Sequence, residues 1–406
     1  MSTAVTAPGG YACSMTRPRA LGAVPEDTAA KTHHRKDGKG FANPWASWKG
    51  MSGPQIGKAV LWGRLTGKFK VPDTTPPTVR VVEPTFLPSR ETPQLRATWL
   101  GHACYYVEFP GGLRVLFDPV FEERSGPFSF MGPKRYTPAP CHVKDIPIID
   151  VVVISHSHYD HLSYHTVMEI HRKHPNATFL VGLGLKKWFH GCGIENVEEL
   201  DWWTDIDVTL SPSTGEKSVS NASTASAPSA SAKGSDITAR FSCLPCQHIS
   251  ARTPFDMGVT LWCSWSVVSG GKSVWFGGDT GYRAVPEVGK DEDDYGEAYV
   301  DLPRCPAFKQ IGDLRGPFDL GLIPIGAYDP RYIMSSVHAN PFDSVNIFVD
   351  TKCKKAMGIH WGTWVLTGEA VLEPPVLLKQ AMKKKGLPET GVFDVCDIGE
   401  SREFQG

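Results

Sequence analysis

At 406 residues, with 41% hydrophobic and 21% charged side chains, the chain has the makeup of a globular protein able to bury a large core. Its 42 Lys plus Arg balance 43 Asp plus Glu, so it lacks the basic excess of a nucleic-acid binder and no nucleic-acid partner is expected. No apolar run approaches the roughly 18 residues of a bilayer span, and ten cysteines without a hydrophobic leader read as reduced thiols in an intracellular compartment.

Residues 1–40 are polar and aperiodic, end in THHRKDGKG, and are expected to form a disordered tail in which His33 and His34 are solvated. Arg17, Arg19 and the lack of acidic residues before Val24 hint at a mitochondrial presequence. Residues 41–96 scatter Trp45, Trp48, Trp62 and Phe69 among prolines, as in an extended arm laid on a folded body. A catalytic domain is expected over 97–406. It opens with a strand in ATWLGHACYYVEF, a turn at Pro110 to Gly112 and a second strand in LRVLFDP.

Val151 to Ile154 is a continuous β-branched run, the pattern of a strand buried on both faces. It delivers His156, His158, Asp160 and His161 to its C-terminal end, and Ser163 then caps a helix through Val167 and Ile170. The chain has 14 histidines, and three of them fall inside these six positions, which argues against a chance His-rich loop. Imidazoles suit zinc, a carboxylate can share such a site, and four ligands packed so closely fit two metals better than one.

Further on, residues 211–235 are Ser/Ala-rich and read as a flexible insertion. Thr260 to Asp279 repeats the strand, Gly turn, strand plan of the first hairpin, which suggests two related halves. Asp291 to Asp294 reads as a solvated acidic loop. Asn340 and Pro341 begin a helix carrying Phe342, Val345 and Phe348, MGIHW is a strand ending in His360, and Val376 to Lys385 is a last helix. Strand and helix alternate, so the fold class is α/β.

The HxHxDH motif after an apolar strand resembles the metallo-β-lactamase superfamily. TWLGHA (Thr98 to Ala103), MGPKR (Met131 to Arg135), CQH (Cys246 to His248), GDTGY (Gly278 to Tyr282), IPIGAY (Ile323 to Tyr328), IHWGT (Ile359 to Thr363) and LEPP (Leu372 to Pro375) are similar, in the same order, to the N-acyl-phosphatidylethanolamine-hydrolysing phospholipases D. The resemblance runs from about Phe41 to the C-terminus. It implies an αββα sandwich of two packed mixed sheets with helices outside.

It also implies a ligand set for two zinc ions per chain: His156, His158 and His248 on one, Asp160, His161 and His360 on the other, with Asp279 bridging. The implied activity is hydrolysis of N-acyl-phosphatidylethanolamine to an N-acylethanolamine and phosphatidic acid, by attack of a dizinc-bridging hydroxide on phosphorus, with Asp160 and His338 as catalytic candidates. His338 stands in VHANP, and His102 and Asp118 are expected to orient the ligands. Tyr282 follows the GDTG turn, and Cys243 with Cys246 form a CxxC that reads as buried thiols.

Ser125 to Tyr136 combines Phe128, Phe130 and Met131 with Lys134 and Arg135, the makeup of a loop for peripheral membrane contact. The partners so implied are a membrane phospholipid substrate and, from the family, a second copy of the chain. The alternatives are a superfamily hydrolase of another phosphoester or a lactone, and a non-catalytic zinc-stabilised lipid-binding protein.

Overall fold

Near-continuous apolar segments build two sheets, each drawn mainly from one half of the chain. The computed structural model describes residues 11–50, 63, 71–212, 235–289 and 292–405. In chain order the strands and helices are β1 (Tyr11–Thr16), β2 (Leu95–Trp99), β3 (Tyr105–Glu108), β4 (Arg114–Phe117), β5 (Val151–Val153), α1 (Tyr164–Lys173), β6 (Thr178–Gly182), α2 (Lys186–Gly191), β7 (Val197–Leu200) and β8 (Thr204–Pro212). There follow β9 (Ile237–Leu244), β10 (Ser264–Ser269), β11 (Lys272–Phe276), α3 (Ala307–Leu314), β12 (Leu320–Pro324), α4 (Arg331–Met334), α5 (Pro341–Asp350), β13 (Ala356–Ile359), α6 (Glu373–Lys384), β14 (Phe393–Asp394) and β15 (Ser401–Phe404).

The sheet orders are β15-β2-β3-β4-β5-β6-β7 and β1-β8-β9-β10-β11-β12-β13-β14. Strands from β15 to β4 pair antiparallel and those from β4 to β7 parallel. The second sheet repeats this, antiparallel from β8 to β11 and parallel from β11 to β14. The similarity of the two hairpins in the sequence therefore reflects two halves built on one plan.

β5 shows how the layers are held. Val151 and Val153 enter the core shared by the two sheets, while Val152 and Ile154 face the cluster under α1 and α2 with Val167, Ile170 and Phe189. All four are fully buried, and each such side chain contributes about 1.5–3 kcal/mol. Ser163 caps α1 by accepting from the Thr166 N–H, and Asn340 caps α5 by accepting from Asp343 ahead of Pro341. α6 begins earlier than expected because Pro374 and Pro375 are tolerated in its first turn.

The expected disorder of 1–40 does not hold from Tyr11 onward. β1 adds an edge strand to β8, from Tyr11↔Pro212 to Thr16↔Asp207, and alternates half-buried Tyr11, Cys13 and Met15 with exposed neighbours. Satisfying the backbone of β8 and covering the core with three side chains is what orders it. His33 is buried as well, against Asp201 and stacked on Trp202 at 4.2 Å. Of the arm, Phe41 and Trp45 pack on the core; Trp62 and Phe69 lie outside the described residues. So does the insertion expected at 211–235, except for 211 and 212, which end β8, and 235.

Candidate metal centre

The turns that leave β4, β5, β9, β11 and β13 meet at one edge of the sandwich and bring Asp118, His156 to His161, His248, Asp279 and His360 together. Asp279 Oδ2 occupies the middle. It lies 3.0 Å from His360 Nε2, 3.1 Å from His161 Nε2, 3.7 Å from His248 Nε2, 3.8 Å from His156 Nε2 and 3.9 Å from His338 Nδ1. Two groups form around it. In His156, His158, His248 and Asp279, and separately in His102, Asp160, His161 and His360, the ligating atoms of each group lie within 4.8 Å of one another.

The outward-facing nitrogens of His156, His161 and His248 are committed, and that decides which of their nitrogens face inward. Asp118 accepts from the Ser155 N–H (2.7 Å), the Ser155 hydroxyl (2.5 Å) and His161 Nδ1 (2.6 Å). Ser155 Oγ, having donated its proton to Asp118, accepts from His156 Nδ1 (2.9 Å). His248 Nδ1 donates to the Val337 carbonyl (2.8 Å). Each of these rings is thereby left with an Nε2 lone pair aimed into the cluster, the tautomer a metal requires. One carboxylate sets a ligand in both groups.

The inner atoms are unpaired. His161 Nε2, His360 Nε2, His338 Nδ1 and Asp279 Oδ1 are buried without a hydrogen-bond partner among the described residues, a cost of about 1–3 kcal/mol apiece if nothing else met them. His158 Nδ1 stands 2.8 Å from His156 Nε2 and 3.2 Å from His248 Nε2, an arrangement of converging lone pairs that a cation satisfies. The donor set, nitrogen-rich with two carboxylates, fits divalent zinc-like ions.

The carboxylates draw positive charge to the cluster: burial alone would lower the His161 imidazole, but Asp279, Asp160 and Asp118 raise it well above its ordinary value. Burial pushes the Asp279 and Asp160 carboxyls up, but the neighbouring histidines, His161 foremost, hold both well below the ordinary range. Burial and the adjacent imidazoles hold His156 well below its ordinary value, so it stays neutral. The backbone is strained around the cluster, with non-glycine residues His102 (φ 52°), Asp118 (φ 38°) and His360 (φ 64°) left-handed. At Gly278 a side chain would stand 2.6 Å from Ser155 Cβ, so the GGD turn passes the end of β5 only as glycine.

His102 donates to Asp160 Oδ2 at 3.0 Å. His338 sits between the cluster and an apolar cavity of ≈ 520 Å³, whose lining also includes His158, His248, Phe41, Trp48 and Trp262. Tyr282 does not join the cluster: its hydroxyl donates to Asp350 (2.8 Å). Cys243 and Cys246 are buried, with burial pushing both thiols up. Asp294 is not solvated but paired with Arg283 and Arg331.

Arg135 is a correction to the expected membrane loop. It is buried, donating to the Val120 and Glu122 carbonyls and lying 4.4 Å over the Trp364 ring, and burial lowers its pKa to about 10. Phe128, Phe130 and Met131 are exposed, and Lys134 pairs with Glu123 on the surface.

Sequence reasoning missed Ser155 and the struts from the arm. Asn43 Nδ2 donates to the His248 carbonyl (2.7 Å) and Ser47 Oγ to Gln247 Oε1 (2.5 Å), while Gln247 Nε2 donates to the Ser336 carbonyl (3.0 Å). The arm thus ties together the loops carrying His248 and His338. The only cue was the Asn-Pro-Trp in FANPW.

A His/Asp cluster at the strand ends of two stacked mixed sheets defines a metal-dependent hydrolase of the β-lactamase superfamily. Residues 113–361 match the family model described as the Beta-lactamase superfamily domain. The chain is 36% identical to N-acyl-phosphatidylethanolamine-hydrolyzing phospholipase D 1 of Caenorhabditis elegans, over 90% of this chain and 92% of that protein. It is 30% identical to the mitochondrial N-acyl-phosphatidylethanolamine-hydrolyzing phospholipase D of Saccharomyces cerevisiae, over 74% of this chain and 56% of that protein. Among solved structures, Igni18, a metallo hydrolase from Ignicoccus hospitalis, matches with a TM-score of 0.45 at 18% identity, over 77% of this chain and 99% of that one. The chain belongs to the family of N-acyl-phosphatidylethanolamine-hydrolysing phospholipases D.

Proposed function

We propose that the chain hydrolyses N-acyl-phosphatidylethanolamine at the phosphodiester bond nearer the ethanolamine, giving an N-acylethanolamine and phosphatidic acid. The observation that carries this reading is the placement of Asp279 Oδ2 among unpaired histidine nitrogens directly beside a large apolar cavity. The names of the worm and yeast relatives supply the lipid class. His156, His158 and His248 would hold one zinc ion, Asp160, His161 and His360 a second, and Asp279 would bridge. Bound there, the ions supply Lewis acidity toward phosphate oxygens and lower the pKa of water toward neutrality.

The rest falls to the protein. Asp118 and Ser155 keep His161 and His156 in the ligating tautomer, and His102 orients Asp160. Phe41, Trp48 and Trp262 exclude water from the cavity and offer an apolar lining to acyl chains. Arg35 and Lys49 add cations to that lining, which favours an anionic lipid. His338 Nδ1, unpaired between cluster and cavity, is placed to hydrogen-bond the scissile or amide end of the substrate. In the net reaction a water oxygen goes onto phosphorus, the bond to the ethanolamine oxygen breaks, and that oxygen takes the proton.

Product analysis tests this. Metal-replete protein should release N-acylethanolamine and phosphatidic acid from N-acyl-phosphatidylethanolamine and should leave soluble phosphodiesters and lactones intact. Turnover of those soluble esters alone would replace this reading with that of another superfamily hydrolase.

A further inference from the structure

The candidate ligands of the HSHYDH loop are not held equally. His156 and His161 are oriented through Ser155 and Asp118, and Asp160 through His102. His158 has no such support. Its Nδ1 meets the neighbouring rings, His156 Nε2 at 2.8 Å and His248 Nε2 at 3.2 Å, and among the described residues no group outside the cluster hydrogen-bonds its ring. It is also the ligand of this loop that lines the ≈ 520 Å³ cavity, the side from which substrate would arrive.

Arg252 grips the chain on either side of this residue. One nitrogen, Nη1, donates to the Ser157 carbonyl and to the Leu162 carbonyl, both at 2.8 Å. Ser157 and Leu162 are buried, and among the described residues no backbone N–H reaches either carbonyl. The guanidinium carbon lies 4.0 Å from the centre of the Tyr159 ring and 5.5 Å from that of Trp188. A single side chain thus engages residues 157, 159 and 162, and His158 falls between the first two.

The clamp is itself fixed to another ligand loop. Arg252 stands four residues beyond His248. Asp256 Oδ1 accepts from the Arg252 N–H (3.0 Å) and the Thr253 N–H (2.8 Å), and the Gly258 N–H donates to the Ser250 carbonyl at 2.8 Å. At the end of that turn, Thr260 Oγ1 donates to Ser157 Oγ at 3.3 Å. Arg252 therefore joins the loop of His158 to the loop of His248, whose rings converge in one group.

We propose that Arg252 is a positioning residue for the metal centre: through the Ser157 carbonyl and the Tyr159 ring it sets the approach of His158 to His248, the support that Ser155, Asp118 and His102 give to the other ligands of the loop. An arginine suits the task because its planar head donates to two carbonyls while stacking on a ring. Without it two buried carbonyls lose their donor, and the loop can turn them toward water only by moving His158. This assignment rests on the reading that the cluster holds two zinc ions.

Chelator competition on zinc-loaded protein tests it. The wild type should release two ions in separate steps, and His248→Ala should abolish the step that belongs to the group of His156, His158 and His248. Arg252→Met should weaken that same step about 10–100-fold, the cost of losing an outer support, and leave the other within about threefold. Arg252→Lys keeps a cation but not the planar fork, and should weaken the same step about tenfold or less; as the milder change it decides the matter if Arg252→Met does not fold. Equal weakening of both steps, or weakening confined to the group of Asp160, His161 and His360, would mean general damage and overturn the proposal. Release unchanged in both variants overturns it too. A wild type that binds no zinc defeats the metal reading itself, whereas two ions held equally well by the wild type and Arg252→Met defeat the role of Arg252 alone.

Discussion

The molecule holds two clusters made of the same residue types, and they behave differently. At the arm, His33 Nε2 and His34 Nε2 lie 2.7 and 2.9 Å from the two oxygens of Asp201, with Lys31 Nζ at 3.0 Å and the Trp202 N–H at 2.9 Å. As in the groups at the metal centre, the ligating atoms of this cluster lie within 4.8 Å of one another. Its carboxylate, however, has a donor on every side. At Asp279 the neighbouring His161 Nε2, His360 Nε2 and His338 Nδ1 are left without partners, and the backbone at His102, Asp118 and His360 is strained. The first is a clasp closed by hydrogen bonds and charge; the second is completed only by cations. Unsatisfied valence, and not the residue inventory, separates a ligand set from a salt bridge.

Substitutions can break this contrast. The largest effect is expected at Asp279: Asp279→Ala should lower kcat/KM at least about a thousandfold and reduce metal content, since it removes the group shared by both ligand sets. Asp118→Asn, which disturbs the tautomers of His156 and His161 together, should weaken metal affinity about 10–100-fold, read by chelator competition. Asn43→Ala frees the His248 loop from the arm and should cost about fivefold or less in activity, by analogy with a lost neutral hydrogen bond of about 1 kcal/mol. In cobalt-substituted protein it should also shift the visible absorption band.

Asp201→Asn should change activity and metal content least. It should lower stability by about 1–3 kcal/mol in denaturant titration, because a buried carboxylate with three cationic or potentially cationic neighbours is lost. The sign of the pH dependence follows. Burial pushes the Asp201 carboxyl up, but His33, Lys31 and His34 hold it below its ordinary range. Its contribution is therefore fully present above roughly pH 4 and is lost as pH falls through the lowered value. Loss of metal from Asp201→Asn, or retention of full metal by Asp279→Ala, would reverse the assignment of the two clusters.

How much could be read in advance depended on how local each feature is. β5, the two hairpins and the helices capped by Ser163 and Asn340 follow from patterns confined to a few residues, and the HSHYDH ligands ride on one of them. His248, Asp279 and His360 were identified by family resemblance, because each stands alone and their convergence is a property of the sheets. β1 was not read, because the alternation of Tyr11, Cys13 and Met15 spans only six residues and its partner β8 is remote, so the stretch reads as aperiodic tail. Arg135 was misread for a similar reason. A basic residue beside exposed phenylalanines reads as surface, whereas the Val120 and Glu122 carbonyls and Trp364 that bury it come together only in the fold. His33 and His34 found a partner in Asp201, far along the chain.

The most direct test is to count metal and product together, on protein purified without added metal and then chelated and reconstituted with zinc. About two zinc ions per chain are expected in the wild type and in Asp201→Asn. N-acylethanolamine release should vanish on chelation and return with zinc. Release that persists in fully chelated protein, or reconstitution that binds zinc without restoring it, would contradict the account.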